Sequence, residues 1–384
     1  MHGGQRIAIL GCGPGGIALA LFLKRAGHFP EIFERFDSPK PLGSGLLIQP
    51  SGQLVLDQLG LLTALQQSAS PVTGLFGICV NSGKRALDME YRHLGEGCMA
   101  LGTHRATLFD LLFDAVHAAE VPIHTGCPIL TATELARFDG FDLIVDAMGA
   151  RSPLASGAIT DLSYGAYWAT VDYPEGSSVA TASLDQRYRR AQQMAGIMPV
   201  GISPVTGRPS AALFWSAKHN ETAAIEARGI AQWRAEFLEL WPEASAFVEQ
   251  IESFDQLTFA RYVHRTGKPN SQGNLYHIGD AWHCTSPQLG QGANMALLDA
   301  HAFAAALEMA TDKRELRSAY AAMRADHVRL YQALSLTFTP LYQSDGAFRP
   351  WLRDVVVHNF ARLPGVRNLI AHIVGGSFGN RVPD

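Results

Sequence analysis

The sequence predicts an α/β fold: a parallel sheet flanked by helices, interrupted by a domain of antiparallel strands and followed by C-terminal helices. Three observations predict it. A glycine-rich turn joins an apolar strand to a helix near the N-terminus, strand–helix units recur later, and stretches of alternating β-branched and aromatic residues lie between them. The chain has 384 residues, 47% of them hydrophobic, which suits one large domain or two interleaved ones with a full core.

The first element is the run from Arg6 to Gly16, RIAILGCGPGG. Residues 7–10 predict a short buried strand. Gly11 permits the tight turn out of this strand, Gly13 lets the backbone approach a diphosphate, and Gly16 lets the next helix lie against the sheet. The N-terminus of that helix offers free N–H groups and a positive dipole end to phosphates.

Residues 17–23 predict that helix, and residues 30–34 predict a second strand ending in Glu34. A carboxylate at this position can accept hydrogen bonds from the ribose hydroxyls of an adenosine. A glycine turn framed by strand, helix, strand and a terminal acid predicts a Rossmann-like dinucleotide-binding domain.

Later segments repeat this pattern. A helix is predicted over 105–120, and buried strands over 121–124, 142–147 and 275–278, which together indicate a parallel sheet with helices on both faces. Residues 74–87 and 164–216 predict antiparallel strands. We therefore expect three parts: a dinucleotide-binding domain of residues 1–73, 99–155 and 268–312, a substrate-binding sheet domain of residues 74–98 and 156–267, and a helical region of residues 313–384.

A second motif runs from His277 to Ala296, HIGDAWHCTSPQLGQGANMA. A strand ends in Gly-Asp, a glycine-rich loop follows, and a helix is predicted to start at about Gln291. The Asp280 carboxylate can accept hydrogen bonds from a polyol such as a ribityl chain. The helix N-terminus can stabilise partial negative charge on a ring carbonyl.

Composition excludes several function classes. A net charge of −4 without a basic run gives no reason to expect nucleic acid, and no stretch approaches the roughly 20 apolar residues of a membrane span. The five cysteines lack CxxC spacing, which indicates reduced thiols in a cytoplasmic protein. No histidine or cysteine cluster has metal-ligand spacing, so no metal site is expected.

Taken together, these motifs make the chain resemble the class A flavoprotein monooxygenases, which include 4-hydroxybenzoate and salicylate hydroxylases. The resemblance spans roughly residues 5 to 340. Its motifs, in the order and spacing of that family, are the glycines Gly11, Gly13 and Gly16, the pair Glu34-Arg35, the triplet Gly43-Ser44-Gly45, the run His104-Arg105-Ala106-Thr107-Leu108, and Gly279-Asp280.

The resemblance implies that FAD, and not NAD, occupies the Rossmann-like site. It places cofactor contacts at Gly11, Gly13, Gly16, Glu34, Arg35, Ser44, Gly45, Arg105, Asp280, Pro287, Gly292, Ala293 and Asn294. Glu34 would bind the adenosine ribose, Arg105 the diphosphate or ribityl, and Asp280 the ribityl chain. Pro287 would lie beside the flavin ring, with the backbone of residues 292–294 at its pyrimidine end.

The implied activity is hydroxylation of a small aromatic or heteroaromatic substrate. NAD(P)H would reduce FAD, O2 would give a flavin C4a-hydroperoxide, and an electrophilic OH would pass to an electron-rich carbon. Because the cofactor carries this chemistry, the protein needs neither a nucleophile nor a metal. We expect no membrane partner and a monomer or homodimer.

The chain departs from the family at Met148, where an Asp usually serves both FAD and NAD(P)H. Methionine accepts no strong hydrogen bond, so the pyridine-nucleotide step is affected more than FAD binding. Either NAD(P)H binds weakly, which we favour, or Asp146 and Arg151 compensate from neighbouring positions.

The substrate side is harder to predict from residues alone. Phe214 and Trp215 lie on a predicted strand facing the flavin domain, and Tyr262 and His264 alternate on another, so these four are candidates for the aromatic pocket. His283, which follows the Gly-Asp motif, and Pro287 are candidate catalytic residues, although none is certain.

Two alternatives remain at this stage. One is a related flavoprotein of different chemistry, such as a halogenase or a prenyl reductase, although the Trp-x-Trp-x-Ile-Pro motif of tryptophan-type halogenases is absent. The other is a flavin-binding protein without turnover or reduced by a partner, which the methionine at position 148 keeps open.

Overall fold

The structure, a computed structural model, describes residues 4–39, 44–270, 273–346, 348–353 and 363–382. Its strands are β1 (Arg6–Leu10), β2 (Phe29–Phe33), β3 (Gly45–Ile48), β4 (Ser70–Val72), β5 (Gly74–Cys79), β6 (Arg85–Glu90), β7 (Ala100–His104), β8 (Ile123–His124), β9 (Leu143–Asp146), β10 (Thr160–Asp172), β11 (Ser183–Arg189), β12 (Gln193–Ile202), β13 (Pro209–Lys218), β14 (Thr258–Thr266), β15 (Leu275–His277) and β16 (His283–Cys284).

The α-helices are α1 (Pro14–Arg25), α2 (Pro50–Gln58), α3 (Leu62–Ser68), α4 (Arg105–Ala118), α5 (Thr222–Ala227), α6 (Ile230–Leu240), α7 (Ser245–Val248), α8 (Gly292–Met309), α9 (Lys313–Tyr342), α10 (Phe348–Leu352) and α11 (Pro364–Gly375). Within the described ranges, no helix is long and apolar enough to cross a membrane.

A parallel sheet with the strand order β15-β9-β1-β2-β8 carries the first domain. Residues 7–10 of β1 are fully buried because the sheet is covered on both faces. On one face α1 packs against α4 and α8. The other face is covered by a short 3-10 helix, Ala132–Phe138, and not by α-helices as the sequence pattern suggested. The parallel sheet itself is confirmed.

A second sheet of eight strands has the order β16-β14-β10-β13-β12-β11-β5-β6. Its strands pair antiparallel except β5 and β11, which run parallel, so the predicted antiparallel sheet is in fact mixed. Helices α5, α6 and α7 cover one face. Because the opposite face is covered as well, both alternating sets of side chains along β13 are buried.

The two domains meet through a small sheet, β3-β7-β4. A Cβ built on Gly45, at the start of β3, would lie 2.6 Å from Val200 Cγ1 and 2.7 Å from Ala212 Cβ, so only glycine allows this approach. β16 also joins the domains, since it pairs with β14 although it follows the Gly-Asp motif. The predicted domain boundaries stay a proposal.

Helix α9 bridges the two domains. It begins after Asp312, whose carboxylate accepts hydrogen bonds from two backbone N–H groups at 2.8 Å each. Near its start Tyr320 packs on Phe303 of α8, with ring centroids 5.4 Å apart. At its far end Tyr342 packs on Tyr188 of the second sheet, also at 5.4 Å. The helix therefore contacts both domains, one near each of its ends.

Candidate active site

The glycine turn after β1 has the geometry that its spacing predicts. Gly11 has φ of +112°, and a Cβ there would lie 2.7 Å from the Ala147 carbonyl oxygen. A Cβ on Gly16 would overlap the carbonyl oxygen of Gly11, so this glycine sets the close packing of α1. A Cβ on Gly13 would meet nothing within 4 Å. The turn is thus crowded on the protein side and open where a diphosphate would approach.

Glu34 stands at the mouth of this turn and is 9% exposed. Its Oε2 accepts a hydrogen bond from the Cys12 N–H at 2.9 Å, and its Oε1 accepts one from Phe36 N–H at 3.1 Å. Burial, reinforced by this carboxylate, raises the pKa of the Cys12 thiol to about 12, so the thiol stays protonated. Arg35 is exposed, and its guanidinium lies 4.4 Å from the Phe36 ring centre.

Ser44 and Gly45 of the predicted glycine-serine-glycine triplet lie where β3 starts. The Ser44 carbonyl accepts a hydrogen bond from the Arg105 N–H at 2.9 Å, which places both beside the first turn of α4. His104 caps that helix, since its Nδ1 accepts from Ala106 N–H at 3.3 Å. Gly45 begins β3 against the second sheet, as described above, and Gly43 lies outside the described residues.

Arg105 and Asp280 influence each other's charge without forming a hydrogen bond. Burial lowers the pKa of Arg105, and the charge of Asp280 acts in the opposite direction. Burial likewise raises the pKa of Asp280, opposed by His283 and Arg105. The Arg105 Nε is buried without a hydrogen-bond partner, and the Asp280 carboxylate makes no hydrogen bond to any residue that the structure describes. Such polar groups require a partner, which a bound ligand would provide.

The loop before α8 holds the other predicted contacts. Pro287 is exposed at the start of a short 3-10 turn. The first intrahelical bond of α8 runs from Met295 N–H to Gln291 O at 2.8 Å, which leaves the N–H groups of Gly292, Ala293 and Asn294 without helical partners. These groups can bind a carbonyl oxygen.

The Asn294 side chain has a structural task that its sequence position did not reveal. Its Oδ1 accepts from Gln49 N–H at 2.9 Å, and its Nδ2 donates to Leu47 O at 3.0 Å and Gly290 O at 2.9 Å. This side chain therefore ties the glycine-rich loop to β3.

His283 belongs to a buried charge cluster. Its Nε2 lies 2.6 Å from Asp299 Oδ2, which also accepts the Gly279 N–H at 2.7 Å, while Asp299 Oδ1 accepts from Arg324 Nε at 2.7 Å. Burial alone would raise the pKa of Asp299, but His283 and Arg324 outweigh it and hold the pKa at about 2. The cluster anchors the Gly-Asp motif to α8 and α9.

The pairing of Asp299 with Arg324 was not predicted from the sequence. An ionisable residue within an apolar helix face could have indicated it. Asp299 lies in the apolar α8, and Arg324 follows Leu316 and Tyr320 at helical spacing on α9. Charged groups that the pattern places inside a core must be paired.

The substrate candidates lie on two different faces of the second sheet. Phe214 packs on Trp168 at 4.8 Å between centroids and shares the face of Ala212, which borders β3. Trp215 is its neighbour on the strand and points to the opposite face, where its ring lies 6.3 Å from Trp233 of α6. The two therefore do not face the flavin domain together, because successive strand residues alternate.

Tyr262 and His264 share one side of β14. The Tyr262 hydroxyl accepts a hydrogen bond from Trp168 Nε1 at 3.3 Å, which joins Tyr262 to the Phe214 group. Burial lowers the pKa of His264, and its Nε2 is buried without a hydrogen-bond partner. These three candidates lie together on one face of the sheet, whereas Trp215 lies apart from them.

The turn around Met148 is built on a buried acid. Asp146 is fully buried and its carboxylate binds His277 Nδ1 at 3.0 Å, Ser152 Oγ at 2.6 Å and the Met148 N–H at 3.0 Å. The Asp146 carboxylate thus already binds three groups of the protein. Arg151 is exposed.

Helix α11 packs against β3, β12 and α9, a placement that the sequence did not predict. Its Ala371 and Val374 pack against Leu47 of β3 and Val200 of β12. Two hydrogen bonds hold its last turn, one from the Tyr331 hydroxyl to Ile373 O and one from Gln291 Nε2 to Val374 O. A metal site is not found: no group of three or more candidate ligands occurs among the described residues.

Comparison with known proteins adds a family match. The model of a family described as "FAD binding domain" matches residues 5–135 and 143–334. Two curated relatives align over most of both chains: aurachin C monooxygenase/isomerase of Stigmatella aurantiaca at 26% identity, covering 92% of this chain and 94% of the relative, and 6-methylpretetramide 4-monooxygenase of Streptomyces rimosus at 25%, covering 98% and 93%.

Solved structures show the same fold. The structure of Klebsiella pneumoniae HpxO, complexed with FAD and uric acid, superposes with a TM-score of 0.75 at 17% identity and covers 99% of each chain. At this identity the likeness establishes the fold and not the substrate.

Proposed function

Since the chain belongs to the family defined by the FAD binding domain, it is an FAD-dependent monooxygenase, and we propose that it hydroxylates a small aromatic or heteroaromatic compound. NAD(P)H is the co-substrate that reduces the cofactor, and O2 is the oxygen donor. The alternatives, a halogenase or a prenyl reductase, are not favoured, because the relatives that align over the full chain are monooxygenases.

The observation that carries the proposal is a set of polar groups without described hydrogen-bond partners. They are the buried Nε of Arg105, the carboxylate of Asp280 and the N–H groups at the starts of α1 and α8. A molecule with a diphosphate, a polyol and a ring carbonyl satisfies them in turn. FAD has these three parts in this order.

Each residue then has a separate task. The backbone beside Gly13 and the N-terminus of α1 bind the diphosphate, Glu34 accepts the ribose hydroxyls, and Asp280 accepts those of the ribityl chain. The start of α8 stabilises negative charge at the pyrimidine end of the ring. When bound, FAD supplies the redox and oxygen chemistry, and the chain supplies binding, orientation and exclusion of water.

We place the substrate between the cofactor and the second sheet. Phe214, Tyr262 and His264 share the sheet face that borders β3, and their aromatic surfaces suit a flat ring. Pro287 is exposed in the loop before α8, and we place it on the cofactor side of the substrate. His283, held by Asp299, acts as a positioning residue for the Gly-Asp motif and not as a general base.

Purification gives the first test. The protein should be yellow, release FAD on denaturation, and oxidise NADH or NADPH faster when a phenol, benzoate or heteroaromatic from a panel is added, with formation of a hydroxylated product. A colourless protein that takes up no added FAD would contradict the cofactor assignment. FAD that is reduced only by a separate reductase would favour the partner-reduced alternative.

We also infer the setting of the enzyme. None of the five cysteines forms a disulfide, which suits the reducing cytoplasm. We infer a monomer or a homodimer, which light scattering of the purified holoprotein would distinguish from larger assemblies.

A further inference from the structure

Helix α11 lies outside the part of the chain that the FAD binding domain model matches, since that match ends at residue 334. Its last turn nevertheless contacts three segments of the matched part, which are α9, the loop before α8 and the start of α2. Both α2 and α9 also pack against α8. The contacts of α11 are therefore directed at the start of α8, where we place the pyrimidine end of the flavin ring.

Two side chains hold the C-terminal carbonyl groups of α11. Gln291, which directly precedes α8, donates from Nε2 to Val374 O at 2.5 Å, and the Tyr331 hydroxyl of α9 donates to Ile373 O, also at 2.5 Å. Both donor side chains are buried. Because the last carbonyl groups of a helix lack intrahelical partners, these two donors satisfy acceptors that the helix itself leaves open.

Gly376 ends α11 in the left-handed conformation, with φ of +82°. A Cβ built on it would overlap Ser51 Oγ of α2 and would lie 3.0 Å from Gln291 Oε1, so only glycine lets the chain turn at this point. Two residues before Ser51, the Gln49 N–H donates to Asn294 Oδ1 on α8. The end of α11 thus touches both chain segments that hold the first turn of α8.

Tyr331 is itself fixed by the buried charge cluster. Its ring centroid lies 4.6 Å from that of His327, whose Nδ1 lies 2.5 Å from Arg324 Nη1. Burial and the charge of Arg324 lower the pKa of His327 to about 3, so this ring stays neutral and its Nδ1 accepts the guanidinium N–H. Arg324 in turn binds Asp299. The contact between α9 and α11 therefore belongs to the same network that anchors the Gly-Asp motif.

We propose that α11 is a positioning element for the flavin-ring site, because through Gln291, Tyr331 and Gly376 it fixes the turn whose N–H groups receive the ring. This inference rests on the proposed function. Donors held in place act most strongly on the form of a ligand that carries charge, and reduced flavin carries more negative charge at its pyrimidine end than oxidised flavin does. Loosening α11 should therefore weaken the binding of reduced FAD more than that of oxidised FAD, whose diphosphate is held at the turn between β1 and α1.

The experiment compares Tyr331→Phe, which keeps the ring and removes only the hydroxyl, and Gly376→Ala with Tyr173→Phe. Tyr173 is the matched control, since its hydroxyl also donates to a backbone carbonyl, that of Val179, at 2.5 Å, but in the domain of the second sheet. The midpoint potential of bound FAD is measured for each holoprotein. We expect both α11 variants to lower the affinity for reduced relative to oxidised FAD about tenfold, which is a potential about 30 mV lower. Tyr173→Phe should leave the potential unchanged.

Hydrogen exchange of the apoproteins tests the same link without the cofactor. The N–H groups of residues 295–298, the first to form bonds within α8, should exchange faster in Tyr331→Phe and Gly376→Ala than in wild type, whereas those of β1 should not change. Wild-type potentials in both variants would overturn the proposal. Exchange that is faster within α11 but unchanged at residues 295–298 would also overturn it, since α11 would then only be docked on the fold. A wild-type protein that binds no FAD would instead overturn the proposed function.

Discussion

Asp280 is the residue on which FAD affinity should depend most directly, because its carboxylate makes no hydrogen bond to a described residue and is the proposed contact of the ribityl chain. Asp280→Asn removes an ionised acceptor and should cost about 1–3 kcal/mol of binding free energy. That loss corresponds to roughly one to two decades in the FAD dissociation constant. Fluorescence titration of the apoprotein measures it, and an unchanged constant would show that the ribityl chain lies elsewhere.

Asp299 should control stability in acid. Its pKa is held at about 2 in the folded protein, against an ordinary 3.8. A carboxylate whose pKa is lowered by folding stabilises the fold above its ordinary pKa and loses that contribution as the pH falls toward the folded value. The wild-type protein should therefore lose this stabilisation between about pH 4 and pH 2.

Asp299→Asn should lack that part of the pH dependence. It should also be less stable at pH 7 by about 3–5 kcal/mol, because Arg324 and His283 lose their buried partner. Urea unfolding across pH 2 to 7 for both proteins gives the comparison. If the free energy of unfolding changed with pH in the same way in both proteins, the cluster would not be ionised as described.

In the turn between β1 and α1, alanine substitutions at two glycines should have different effects, one on stability and the other on FAD affinity. Gly16→Ala would drive a methyl group into the Gly11 carbonyl, so it should lower stability by about 1–3 kcal/mol. Gly13→Ala meets nothing in the protein, so stability should stay near wild type while FAD affinity falls, because the methyl group occupies the diphosphate approach. Thermal unfolding measures the stability of both variants, and FAD titration measures their affinity. If Gly13→Ala lowered stability as much as Gly16→Ala, the geometry of the turn would be contradicted.

Several strands and helices begin and end where the sequence pattern predicts. The bounds of β1, α4 and β15 differ from the predicted ones by two residues or fewer, because each is delimited by local signals such as a glycine turn or a capping residue. The parallel pairing of β5 with β11 was not predicted, since register between distant strands depends on the whole sheet.

Helix α11 should determine access to the proposed substrate site. Ala371 is fully buried between the sheet and β3, so Ala371→Asp places a charge in an apolar contact and should release the helix from the sheet. We expect faster limited proteolysis within α11 and a higher KM for the aromatic substrate. Asn368→Asp, an exposed position on the same helix, is the control and should change neither. A protease-resistant Ala371→Asp variant would contradict this role.

The sequence by itself determined the α/β class, the cofactor FAD and the enzyme family. These follow from residues at fixed spacing: the glycines of the first turn, Glu34 at the end of β2 and the Gly-Asp pair after β15. Each motif lies where a strand ends, so the local pattern contains the necessary information.

Only the tertiary structure decided which side chains meet across the chain. It put Phe214 and Trp215 on opposite faces of the second sheet, paired Asp299 with Arg324 on another helix, and buried Arg265 against the Ser152 carbonyl 113 residues away. The physical reason is that burial and charge pairing depend on the packing of distant segments, and no periodicity along the chain specifies which segment covers which.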